Sequence, residues 1–173
     1  RVRLALGEGK TDGIRKDDSQ PNFITPGSIT SPKNVSFDLT KYECIQSEEL
    51  LEKWIHRCLD AEVIAVDLET NSLDSSSADL VGICLSIDDN DACYVPLGHI
   101  GTGDMFGDDK PQQIELSLAI KMLKPLLESE SVLKVGQNFK YDIGVLQRYG
   151  INVAPYDDTM LISYALSAGL HNH

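Results

Sequence analysis

Two carboxylates, Asp67 and Glu69, stand two residues apart near the end of the run Glu62-Val63-Ile64-Ala65-Val66-Asp67-Leu68-Glu69-Thr70. The run is apolar and rich in β-branched residues, so it reads as a strand, and side chains at i and i+2 of a strand point to the same face. The spacing therefore aims both acids at one point. Like charges brought together out of water raise each other's pKa and cost stability unless a cation lies between them. The pair reads either as a divalent-metal site or as a satisfied strand-end pair. Three other acid-x-acid pairs, Asp60/Glu62, Asp89/Asp91 and Glu128/Glu130, flank turns or helix ends, where charge is merely solvated. Only Asp67 and Glu69 follow a continuous apolar run, and they are expected to be fixed and partly buried.

A third carboxylate comes from a later segment. Val132 to Gly136 reads as a short buried strand, and Gln137 to Gly150 as a helix closed by a C-terminal glycine, with Phe139, Ile143 and Leu146 as its core stripe. Asn138 and Asp142 are spaced i, i+4 and so share a face, with Tyr141 at its edge. That places Asp142 at the border of the buried surface, either as part of a site or as a solvated helix residue. Asp158 stands just before the helical pattern Leu161, Ile162, Ala165, Leu166, where an N-cap belongs, and capping is favoured over metal ligation.

The elements that must hold these residues read as an α/β layer. Phe37 to Cys44 is expected as an edge strand. Ser47 caps a helix to about Leu59, with Glu48 and Glu49 in its first turn and Leu50, Leu51, Trp54, Ile55 and Cys58 on its apolar face. Strands near Val63 to Leu68, Leu80 to Ile87 and Ala92 to Val95 follow as an antiparallel meander. A polar loop from Gly98 to Lys110 leads to a helix from Gln112 to Leu123, after which Pro125 is expected to start a new turn.

Residues 1–36 differ in character. They are rich in Gly, Pro, Ser, Asp and Lys without sustained periodicity and read as linker, with the folded part running from 37 to 173. Gly7-Glu8-Gly9-Lys10 lacks the preceding strand and the Ser or Thr of a phosphate loop. A hydrophobic content of 42% in 173 residues is ample for one core. No apolar run approaches the roughly 18 residues of a membrane span, and no signal-peptide pattern opens the chain, which points to a cytoplasmic protein without a membrane partner. The absence of an initial methionine fits excision from a longer chain. Cys44, Cys58, Cys84 and Cys93 lack Cys-x-x-Cys spacing and read as reduced core thiols. His56, His99, His171 and His173 show no ligand spacing. The net charge is −12, and residues 42–173 hold 8 Lys and Arg against 22 Asp and Glu. Strong nonspecific duplex binding is not expected from so acidic a surface.

Five blocks in register carry a resemblance: Asp67-Leu68-Glu69-Thr70-Asn71-Ser72-Leu73-Asp74, Ala78-Asp79-Leu80-Val81-Gly82, Leu123-Lys124-Pro125-Leu126-Leu127-Glu128, Val135 to Asp142, and Asp158-Thr159-Met160-Leu161. From about Phe37 onward the chain resembles the 3′-5′ proofreading exonuclease domain of bacterial DNA polymerase I. The resemblance implies a ribonuclease H-like α/β fold with a mixed sheet flanked by helices. It also implies hydrolysis at a DNA 3′ end, single-stranded or frayed, by two divalent ions, Mg²⁺ or Mn²⁺. Asp67 would bridge both ions, Glu69 would bind the nucleophile-side ion and Asp142 the other. Thr70, Leu73, Asn138 and Tyr141 match positions that line the pocket for the terminal nucleotides. Polymerase and 5′-nuclease domains would be partners in the same parent chain. The family's third motif, a Tyr-x-x-x-Asp that supplies a fourth carboxylate, does not occur before His173. The domain is therefore expected to be incomplete at its C-terminus, with three of four ligands and weak or no activity. A ribonuclease D-like RNA exonuclease and a catalytically silent structural domain are the alternative readings.

Overall fold

The computed structural model describes residues 38–101 and 110–167. The linker expected over 1–36, most of the polar loop, and His171 and His173 lie outside the described residues.

A 3-10 turn (Leu39–Lys41) leads into β1 (Tyr42–Cys44), α1 (Glu48–Asp60), β2 (Val63–Thr70), β3 (Leu80–Asp88), β4 (Asp91–Pro96), α2 (Leu116–Leu127), β5 (Leu133–Gly136), α3 (Lys140–Arg148), β6 (Tyr156–Asp158) and α4 (Thr159–Ser167). The strands form one six-stranded sheet in the order β1-β4-β3-β2-β5-β6. Within it β2, β3 and β4 make the expected antiparallel meander, while β1, β5 and β6 join in parallel. The chain thus has a mixed-sheet α/β fold of the ribonuclease H-like kind.

Strand β2 shows how the sequence divides the sheet into two faces. Ile64, Val66 and Leu68 are buried, while Val63, Ala65, Asp67 and Glu69 are exposed. The register carries this division across the meander, so that Leu68 lies beside Ile83 and Val95, and Val66 beside Leu85 and Cys93. All of these are buried in the core with Leu51, Trp54 and Leu123 from the helices. Burying each such large side chain contributes about 1.5–3 kcal/mol. The opposite face carries Ala65, Asp67 and Glu69 with Cys84 and Tyr94.

Helix α1 begins as its sequence dictates. The Ser47 hydroxyl accepts from Leu50 N at 3.4 Å, and Glu48 and Glu49 lie in the first turn, near the positive end of the helix dipole. Leu51, Trp54, Ile55 and Cys58 are buried as expected, but Leu50 remains exposed. The edge strand is shorter than expected, because the 3-10 turn occupies Leu39–Lys41 and leaves three residues to pair with β4. Helix α2 starts four residues later than its pattern suggests, where the Glu115 carboxylate accepts from Leu118 N. Pro125 lies inside this helix and does not begin a new turn. Its missing N–H forfeits only the bond to the Lys121 carbonyl, a small loss two residues from the helix end. Of the cysteines, Cys58 and Cys93 are buried, Cys84 is half-buried and Cys44 is exposed, so the core-thiol reading fails for Cys44, which lies on the short edge strand.

Lys134 is fully buried in β5 and has no acidic partner among the described residues. Its ammonium donates to the carbonyls of Ser129, Val132 and Ala154 at 2.8, 2.8 and 2.6 Å. Burial pulls its pKa below the ordinary lysine value. These three bonds tie the turn after α2 to the segment that precedes β6. Replacing Lys134 with Met keeps the aliphatic stem and strands the carbonyls, which is expected to lower unfolding stability by about 2 kcal/mol. Urea denaturation would read this as a lower midpoint at an unchanged slope.

Candidate active site

Asp67 and Glu69 do share one face of β2, but that face is open and both side chains are exposed rather than partly buried. The physical reason is the strict alternation of the strand: Val66 and Leu68 take the core, and the odd positions are left to water. Neither carboxylate has a hydrogen-bond partner among the described residues. Asp67 borders an open cleft of about 450 Å³ that Cys84, Ser86, Gln137 and Thr159 also line. Glu69 borders a second hollow of about 380 Å³ that it shares with Thr70, Leu73 and Tyr141.

Asp142, by contrast with Asp67 and Glu69, is buried, only 4% exposed in the first turn of α3. Its Oδ1 accepts from the backbone N–H of Leu68 at 3.2 Å, so the helix is pinned to the strand midway between Asp67 and Glu69. Burial and, next, the charge of Asp67 push Asp142 up to about 6. The structure thus places Asp142 beside the strand of the first two carboxylates, within the field of Asp67, and excludes the solvated reading. Among the described residues no three metal-ligating side chains stand together as a ready-made cluster.

Asn138 departs from the expected helical face. It lies before α3, with a positive φ of 54°. Asp158 explains this. Its carboxylate accepts from Asn138 N at 3.1 Å, from Phe139 N at 2.8 Å and from Met160 N at 2.9 Å. It caps its own helix, α4, as the sequence suggests, and also draws two backbone N–H groups at the entry to α3, delaying that helix to Lys140. Phe139, just before α3, and Leu146 within it are buried as expected, Ile143 is only partly so, and Val145 fills the core position. Gly150, at φ 77°, closes the helix as expected.

The other predicted residues form a clasp. The hydroxyls of Thr70 and Tyr141 lie 2.6 Å apart, and the Tyr141 O–H also reaches the Ser72 carbonyl. Leu73 projects from this clasp and is 98% exposed. Sequence reasoning missed the second role of Asp158, whose partners lie about twenty positions away. The only local signal was the turn-prone Gly136-Gln137-Asn138 after a strand.

A family profile described as 3′-5′ exonuclease matches residues 42–172. This chain belongs to that family. It is 46% identical over 148 residues to DNA polymerase I of Rhizobium leguminosarum, covering 79% of this chain and 15% of that protein. It is 36% identical over 150 residues to DNA polymerase I of Pseudomonas aeruginosa, covering 85% of this chain and again 15% of the relative. The family member described here therefore spans a small part of these polymerases, within their exonuclease region. Among solved structures, Escherichia coli RNase D, an exoribonuclease involved in structured RNA processing, superposes with a TM-score of 0.56 at 17% identity. That match covers 76% of this chain and 31% of that one, and it speaks to fold. No helix among the described residues is long and apolar enough to cross a membrane.

Proposed function

We propose that this chain is the 3′-5′ proofreading exonuclease module of a DNA polymerase I-like protein, removing the terminal nucleotide from a single-stranded or frayed DNA 3′ end. The observation that carries the reading is the placement of Asp142, buried and pinned to Leu68 N, against the strand that bears Asp67 and Glu69 on either side of Leu68. The family membership and the polymerase relatives support the substrate class.

The donor set fits hard divalent cations. All three groups are carboxylates, which suit Mg²⁺ or Mn²⁺, and the upward shift of Asp142, caused first by burial and next by the charge of Asp67, includes a repulsion that a cation relieves. Asp67 and Asp142 would hold an ion, with Glu69 turning in from its exposed position. When bound, divalent ions supply the charge that activates water and stabilises the leaving oxygen. In the reaction, water adds to the terminal phosphorus and the bond to the penultimate 3′ oxygen breaks, releasing a nucleoside 5′-monophosphate. Thr70, Asn138 and Tyr141 orient the terminal nucleotide, and Leu73 presents an apolar wedge to the bases. With a charge of −12, the chain relies on polymerase and 5′-nuclease domains of a parent protein for much of its grip on DNA. Because Glu69 starts out exposed and must turn in before it can bind, turnover by the chain alone is expected to be weak.

The test is digestion of 5′-labelled single-stranded DNA, and of RNA of the same sequence, with Mg²⁺ or Mn²⁺. It uses this chain, the chain extended by the family's third motif, and Asp67→Ala in each. The expected result is a ladder shortening from the DNA 3′ end, strong in the extended chain and absent in Asp67→Ala. Inertness of the extended chain, or preference for RNA, overturns the reading.

A further inference from the structure

Across the sheet from Glu69 lies a group that the proposed reaction has not yet used. In the register of the open face, Glu69 pairs with Gly82 of β3, and Cys84 pairs with Tyr94 of β4. The Tyr94 ring does not stand over its own strand but leans back across β3. Its hydroxyl fills the space that a Cβ on Gly82 would take. Directly opposed residues of an antiparallel pair have Cβ atoms about 4.5–5.5 Å apart. The phenol oxygen therefore stands where the side chain opposite Glu69 would be, within reach of a glutamate.

The hydroxyl is held there. It lies 2.6 Å from His99 Nε2, with the two rings edge to face at 5.8 Å between centroids. His99 is fixed in turn by Gln113. The backbone N–H of His99 donates to Gln113 Oε1 at 3.0 Å, and Gln113 Nε2 donates to the His99 carbonyl at 2.9 Å. Burial raises the phenol pKa above its ordinary value, so the hydroxyl keeps its proton. With His99 in the Nε2–H tautomer, the imidazole donates to the phenol oxygen, which leaves the phenol proton for an acceptor. Glu69 is such an acceptor, and it has no hydrogen-bond partner among the described residues.

We propose that Tyr94, anchored by His99, is a positioning residue that holds the Glu69 carboxylate in its ion-binding orientation. This rests on the reading of Asp67, Glu69 and Asp142 as ion ligands. It gives Gly82 a reason as well, since any side chain there would displace the phenol. Hydrogen-bond partners of metal-ligating carboxylates are worth about 10- to 100-fold in metal affinity or activity.

The experiment is Mn²⁺ binding to the full chain, followed by loss of the free-ion paramagnetic resonance signal, with thermal unfolding recorded beside it. Tyr94→Phe, which keeps the ring, and His99→Ala are each expected to weaken Mn²⁺ binding about 10-fold at a nearly unchanged unfolding temperature. The double variant should be no weaker than the weaker single, because both act through one hydroxyl. Gly82→Ala should reproduce the loss by pushing the phenol away with Glu69 intact. Asp67→Ala separates the two levels of the argument. If it abolishes Mn²⁺ binding while Tyr94→Phe and His99→Ala leave it unchanged, the positioning role is wrong and the ion site stands. If the chain takes up no Mn²⁺, or Asp67→Ala has no effect, the ion-site reading fails and the role of Tyr94 falls with it.

Discussion

Asp142→Asn is expected to make the domain more stable at neutral pH while lowering exonuclease activity of the extended domain by at least about 100-fold, more than the loss typical of an outer hydrogen-bond partner. The amide oxygen can still accept from Leu68 N, so the pin between α3 and β2 survives, but a buried negative charge beside Asp67 is gone. The sign follows from proton linkage. The folded protein holds the Asp142 proton up to about 6, above the ordinary value of 3.8, so the native state binds more protons than the unfolded chain between these limits. The associated stability is fully present below the ordinary value and is lost as pH rises through about 6. At pH near 7 the ionised form is disfavoured by about 1–3 kcal/mol. Thermal unfolding in a chelator should show the variant and parent nearly equal at pH near 4 and the variant higher by several degrees above pH 6. Adding Mn²⁺ should raise the parent more than the variant, since only an ion bound to the native state adds stability. A variant less stable than its parent at neutral pH would contradict this account of the site.

Asp158→Ala is expected to be the most damaging single truncation outside the apolar core, at about 3–5 kcal/mol. Three backbone N–H groups lose their acceptor at once: Asn138 and Phe139 at the entry to α3, and Met160 in α4. One lost cap costs about 1 kcal/mol, and a buried donor left unpaired costs about 1–3 kcal/mol. Two of these donors precede the helix that carries Asp142, so the damage extends to the site. Hydrogen exchange should show lost protection at Asn138 and Phe139 as well as at Met160. Asp158→Asn, which keeps one acceptor oxygen, should recover part of the stability. Changes confined to α4 would mean that the carboxylate serves only its own helix.

How far such a site is legible in sequence depends on whether its cause is local. The shared face of Asp67 and Glu69 follows from a period of two within one strand, and Ser47 and Gly150 mark helix ends through chemistry within three or four residues. The exposure of Asp67 and Glu69 was not legible in this way, because it depends on which face the helices cover. Asn138 was misplaced for a similar reason. Its four-residue spacing from Asp142 suggests a shared helical face, but a carboxylate about twenty positions later draws its backbone into the left-handed region. The parallel pairing of β1 with β4 is likewise set by a partner about fifty positions away. Asp142 was ambiguous until the Leu68 N–H was placed beside it, since burial of an acid becomes tolerable only with a donor at hand.

The clasp of Thr70, Tyr141 and Ser72 bears on entropy. Holding a loop in one conformation costs about 1–2 kcal/mol per residue ordered, and an incoming ligand that must impose the order bears that cost in affinity. Here the order is imposed during folding, by a hydroxyl from α3, before any ligand arrives. Leu73 is thus displayed to solvent on a backbone that has already given up its freedom.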